Sequence, residues 1–387
     1  MDKLVVLIKH KRAALTGAAL AIVLISIIIM GALIGGCSSD SVSPSPSVIP
    51  SPEATPLKVT ENNEPTSTPS ITSTPEVLDG KVRSRLTGTW VSEEAGLRRP
   101  YAIMLNNIRI ANPHSGISQA SILYECLVEG GITRLMGIFE EFDTDRIGSV
   151  RSARHYYVSI ADEYDAIFTH FGQTKYATAK MKELKIDNLS GLEGVGATVF
   201  YRDSKIKAPH NAFASFDGII KGTEKKKYRT TLRENLSSHY DFYPEDTSLE
   251  SDKVVQKISL KFSNSKNSSR PYFVYDSDKK EYARFQFEGK HIDINTNEQL
   301  YFKNIIVQYV KEWNIDKNGY QDMDLKDASG EGLYITNGKA VEITWEKNEA
   351  KKTMTYYDVE GNKLAVNEGK TYIALFNRDH KENVIME

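Results

Sequence analysis

From Ala13 to Ile34 the chain carries no charged side chain, and this run closes in Leu33-Ile-Gly-Gly-Cys37. A stretch of roughly 20 apolar residues belongs in a bilayer or in the membrane-inserting part of a signal peptide. Lys3, Lys9, Lys11 and Arg12 precede it. Because a basic flank stays in the cytoplasm, everything after Cys37 is expected on the opposite side of the membrane. An aliphatic residue, then small residues, then cysteine resembles the pattern at which a lipoprotein signal peptide is cut, with the cysteine thiol as the site of diacylglyceryl attachment. Two readings follow: residues 1–36 as a cleaved signal peptide with lipidation at Cys37, or an uncleaved anchor. Lipidation is the expected one, since several acyl chains hold a protein stably to a membrane. The location expected is the extracytoplasmic face of the cell membrane, through a lipid anchor.

Residues 37–80 are rich in Ser, Pro and Thr and hold eight of the chain's 13 prolines. With no hydrophobic period, such a segment has no core to bury and is expected to be a disordered tether, reaching tens of ångströms. Cys37 and Cys126 are the two cysteines. Modification of the first leaves no disulfide framework, and Cys126, in an apolar run, is expected to be a buried small hydrophobe. The net charge of -2 gives no basic field for nucleic acid.

Beyond the tether, two regions differ in pattern. Residues 90–245 mix strand-like runs (101–107, 121–129, 132–140, 165–171) with helical ones (152–164, 174–184, 210–222). Residues 252–380 hold short alternating runs separated by turns such as Asn337-Gly338. The expected fold is a mixed α/β (α+β) N-terminal domain followed by a β-rich C-terminal domain.

Residues with chemical character concentrate in the first region. Glu125 and Glu129 are four apart on one expected strand, hence on one face, and Arg134 follows the Gly130-Gly131 turn. Gly148-Ser-Val-Arg-Ser-Ala-Arg154 precedes the next expected helix, with Ser152 as its N-cap. Arg151 and Arg154 beside a helix start are suited to clamping a phosphate or carboxylate; pairing with Asp143, Asp145 or Asp162 is the structural alternative. His170 closes a strand, and His210 and Asn211 follow Arg202 in a loop. Histidines so placed serve as acid–base groups or, more often, as structural hydrogen-bonding residues. The sequence has no phosphate-binding glycine loop, no His-Glu-x-x-His and no zinc spacing, so no cofactor and no metal are expected.

Five segments of the first region, Arg99-Pro-Tyr-Ala-Ile-Met-Leu-Asn-Asn107, Glu129-Gly-Gly-Ile-Thr-Arg134, Gly148 to Arg154, His170-Phe-Gly172 and Ala208-Pro-His-Asn211, resemble the YerB-like family of lipoproteins. Asn304-Ile-Ile-Val307, Asn337-Gly-Lys339, Thr344-Trp345 and Glu368-Gly-Lys-Thr371 extend the resemblance to roughly residues 90–380. It implies two parts and a surface lipoprotein, and brings no mechanism. Ser149 departs from it, standing where the family pattern has proline.

The expected function is binding of an anionic envelope ligand, a glycan or a phosphate-bearing polymer, through Arg134, Arg151, Ser152, Arg154, Arg202 and Asn211. Glu129, His170 and His210 would line the same cleft. The alternatives are a wall-polymer enzyme using Glu125, Glu129, His170 or His210 in glycan cleavage or phosphotransfer, and a module binding an envelope protein through its β-rich domain.

Overall fold

The computed structural model describes residues 77–387. The apolar N-terminal run, Cys37 and nearly all of the tether lie outside the described residues. None of the described helices is long and apolar enough to cross a membrane.

The N-terminal region supplies β1 (Tyr101–Leu105), β2 (Ile122–Leu127), β3 (Thr133–Phe139), α1 (His155–Glu163), β4 (Ile167–His170), α2 (Lys175–Leu184), β5 (Asn188–Ser190) and α3 (Phe216–Lys226). The strand-rich C-terminal region supplies β6 (Lys257–Leu260), β7 (Tyr272–Asp276), β8 (Glu281–Gln286), β9 (Asn304–Val310), β10 (Asp327–Thr336), β11 (Lys339–Asn348), β12 (Thr353–Tyr357) and β13 (Thr371–Asn377). Ten of these form one sheet, in the order β12-β11-β10-β9-β13-β2-β3-β1-β4-β5. β13 runs parallel to β9 on one side and to β2 on the other. The change of pattern near residue 250 is therefore a change of composition inside a shared sheet.

Burial on both sides explains the unbroken apolar runs in β1 and in Tyr372–Phe376 of β13, because a strand covered on both faces needs no polar alternation. Met104, Tyr124, Ile306 and Ile373 pack with Tyr157 and Ile160 of α1 and Ala177 of α2. On the other face Ile103, Leu123, Ile305 and Tyr372 meet Ile258, Phe273 and Tyr282 of the smaller β6–β8 sheet and Ile219 of α3. Each large side chain so buried contributes about 1.5–3 kcal/mol.

Local chemistry fixes α2. Thr174 Oγ1 accepts a hydrogen bond from the Ala177 N–H at 3.1 Å, capping the helix. Thr174→Ala is expected to cost about 1 kcal/mol, read as a lower urea midpoint at unchanged slope.

Two sequence expectations change. α1 starts at His155 with Arg154 as its N-cap, so Ser152 lies outside the helix. Ala153 N–H donates to Gly172 O at 2.9 Å, which holds residues 151–153 extended beside the end of β4. The expected helix over 210–222 is instead a strand, Ala212–Ala214, followed by α3. That strand lies between residues 200–202 and 147–148, so tertiary pairing overrides local helical spacing.

Candidate functional site

The segment 148–154 is stapled on three sides. Val150 N–H donates to Ala212 O at 2.7 Å, Arg151 N–H to Met104 O at 2.9 Å, and Phe171 N–H to Arg151 O at 3.0 Å. The β2–β3 hairpin sets Arg134 opposite Cys126, on the face that carries α1. Arg134 thereby reaches the same loop.

Three guanidinium groups meet there. Arg134 Nη1 donates to Ser152 O at 2.8 Å, and Arg154 Nη1 donates to the same oxygen at 3.1 Å. Arg154 also grips Glu129 with two bonds, Nε to Oε1 at 2.6 Å and Nη2 to Oε2 at 2.5 Å. Arg151 Nη1 donates to Pro209 O at 2.8 Å. The buried Nε atoms of Arg134 and Arg151 have no hydrogen-bond partner among the described residues. Arg134 is only 4% exposed, and its pKa is held down to about 9, first by burial and then by Arg154 and Arg151. Burial, then Arg154, also lowers that of Arg151. Glu129 is the carboxylate paired into the cluster, so positive charge is in excess.

Around this centre stand other expected residues. His210 Nδ1 accepts from Asn106 Nδ2 at 3.1 Å, and its pKa is lowered by burial and by neighbouring Arg151. Arg202 donates to Asn211 Oδ1 at 2.7 Å and lies 4.6 Å over the Phe171 ring. Phe171 is joined to the site through the backbone bond to Arg151.

Two expected members do something else. His170 is buried and bonds Gly172 O at 2.8 Å and Asn188 at 3.3 Å, bracing the β4 exit. Glu125 is on the opposite face of the sheet from Arg134. β2 ends at Leu127 and Glu129 sits in a short 3-10 turn with Gly130 at φ 73°, which breaks the two-residue period. Hence Glu125 and Glu129 do not share a face.

Glu125 is wholly buried and pairs with Arg284 Nη2 at 2.6 Å. It also accepts from Asn107 at 3.0 Å, Thr133 at 2.5 Å, Ser269 at 2.9 Å and Tyr372 at 2.8 Å. Arg284 continues into His291 Nδ1, and His291 Nε2 meets His114 Nδ1 at 2.8 Å. His114 bonds the Asn106 carbonyl, so this polar chain ends one residue from the arginine loop's neighbour His210. Sequence reasoning missed Arg284, His114 and His291. The readable sign was Arg284 in the same alternation as Tyr282 and Gln286, a charge where the period points inward.

The surface also has two sizeable hollows, of about 710 and 570 Å³, and the arginine cluster lines neither. Among the described residues no group of three His, Cys, Asp or Glu side chains is placed to hold a metal ion.

Comparison with known proteins matches the two regions separately. Residues 86–229 match the N-terminal domain of the DUF3048 proteins of unknown function, and residues 258–373 match their C-terminal domain. YerB of Bacillus subtilis (strain 168), named as a candidate lipoprotein, is 30% identical over 269 residues, covering 69% of this chain and 78% of that protein. The crystal structure of YerB superposes with a TM-score of 0.69 at 28% identity, covering 79% of this chain and all of the other.

Proposed function

We propose that this chain, which belongs to the DUF3048 family, is a lipid-anchored extracytoplasmic protein that binds an anionic envelope ligand at its arginine cluster. Cys37 carries the anchor and the Ser/Pro/Thr segment holds the folded region away from the membrane. One observation supports the binding reading above the rest: Arg134, Arg151 and Arg154 converge, with a single carboxylate among the described residues paired to them. Guanidinium groups crowded together in a partly desolvated place repel, and an incoming phosphate or carboxylate relieves that repulsion while accepting charge-assisted hydrogen bonds. Arg154 is committed to Glu129, which leaves Arg151 and the free edge of Arg134 as the ligand's donors. Arg202, Asn211 and His210 form the rim.

A glycan-cleaving role would need a carboxylic acid free to give a proton. Both candidates are engaged by arginine instead, Glu125 by Arg284 and Glu129 by Arg154.

Arg151→Gln tests the reading in the full chain held in detergent. Titration calorimetry with a poly(glycerol phosphate) probe is expected to show binding that is about tenfold to a hundredfold weaker in the variant. Thermal stability should hardly move, since the substitution removes one hydrogen bond to Pro209. Wild-type affinity in the variant, or a collapsed unfolding midpoint, would overturn the assignment.

A further inference from the structure

The hollow of about 710 Å³ lies in the strand-rich region, beneath the segment that links β6 to β7. Its wall is basic: Lys261, Lys266 and Arg270 line it, and none of the ion pairs formed among the described residues involves these three. The carboxylate on the wall, Glu288, is held by Arg109 at 3.0 Å. Excess positive charge therefore faces the space. Ser268 also lines it, is only 4% exposed, and its buried hydroxyl has no hydrogen-bond partner among the described residues. A buried hydroxyl left unpaired is destabilising, and a hydrogen-bonding ligand relieves that.

The segment is pinned in place. Leu260 N–H donates to Pro271 O at 2.9 Å, Ser268 N–H to Ser265 O at 3.1 Å, and Ser269 Oγ to Glu125 at 2.9 Å. Such anchoring makes the hollow a preformed surface site. Its volume lies within the ~300–1,000 Å³ of small-molecule sites and far exceeds what a bare oxyanion fills. Asn264 and the amphipathic ring of Tyr272 complete a lining suited to a hydroxylated body.

We infer that this hollow is a second binding site, taking a sugar-sized hydroxylated group that carries a phosphate. The lysines meet the phosphate as point charges and Arg270 through its planar fork of N–H donors, while Ser268 and Asn264 hydrogen-bond the hydroxyls. None of these residues belongs to the arginine cluster, so the two sites stand or fall separately.

The experiment is calorimetric titration of the full chain in detergent with glucose 6-phosphate, inorganic phosphate and glucose. Saturable binding of glucose 6-phosphate is expected, at least tenfold tighter than either fragment. Lys266→Ser with Arg270→Asn should weaken it a further tenfold or more; asparagine suits the left-handed backbone at Arg270 (φ 45°). Ser268→Ala should weaken binding several-fold while leaving the unfolding midpoint unchanged or higher, a combination that a merely structural serine would not give. Arg151→Gln should leave this binding untouched. Absence of saturable binding, phosphate alone binding as tightly as the sugar phosphate, or full affinity in the double variant would each overturn the proposal.

Discussion

Replacing Glu125 by glutamine is expected to lower the stability of the folded region by about 3–5 kcal/mol. The reason is the charge left behind. Arg284 is fully buried, its Nε already lacks a partner, and Glu125 is the carboxylate it pairs with. Removing one member of a buried pair strands the other in a medium that solvates it poorly. Removing both charges costs far less, so Glu125→Gln combined with Arg284→Met should recover most of the loss, because glutamine still accepts from the surrounding hydroxyls. Urea unfolding of the two variants provides the check. A single variant within about 1 kcal/mol of wild type, or a double variant no better than the single, would show that the pair does not hold the two regions together.

The second large effect is a pH dependence. His114 is buried and its pKa falls from 6.5 to about 4: burial lowers it most, and Arg284 lowers it further. The Asn106 carbonyl, Asp293 and Glu125 act in the raising direction and are outweighed. His291 is pushed well down too, by burial, Arg284 and His114. The unfolded chain takes up these protons near pH 6.5 and the folded chain does not. The stability that neutral His114 supplies is thus intact above pH 6.5 and is lost as pH falls toward 4, by about 3 kcal/mol in all. Glu140 and Glu312 oppose this, since burial raises both to about 7 and their cost grows as pH rises through that window. The clean measurement is therefore a difference. His114→Gln, which cannot titrate there, should lose about 3 kcal/mol less stability than wild type between pH 6.5 and 4. Parallel curves for the two proteins would sink the account.

Several features of this protein were legible in order along the chain. The runs 101–107 and 132–140 announced themselves as strands through apolar content, and they form Tyr101–Leu105 and Thr133–Phe139, while Thr174 announced a helix start. Cys126 was read as a buried hydrophobe and is one, 0% exposed with its thiol pKa raised by burial. Arg134, Arg151, Ser152 and Arg154 were named together, and the fold brings them to one place, although Ser152 serves through its carbonyl rather than as a helix cap.

The failures share one cause. Glu125 and Glu129 were placed on one face from spacing along a strand, and the Glu129–Gly131 turn ends that spacing early. The strand Ala212–Ala214 was read as helix because its partners, residues 147–148 and 200–202, are remote in sequence.

By itself, then, the sequence determined most of the element types, the apolar N-terminal run, the Ser/Pro/Thr-rich composition of residues 37–80 and the two-part pattern of α/β followed by β. Those depend on local periodicity and composition, which neighbours in the chain carry. The tertiary structure alone decided that β13 joins β9 to β2 in one sheet, that Glu125 answers to Arg284 across 159 residues, and that a basic hollow lies under residues 261–271. Partner choice between distant segments is settled by which faces bury together and which charges must be satisfied there, and neither is written in the spacing of any one segment.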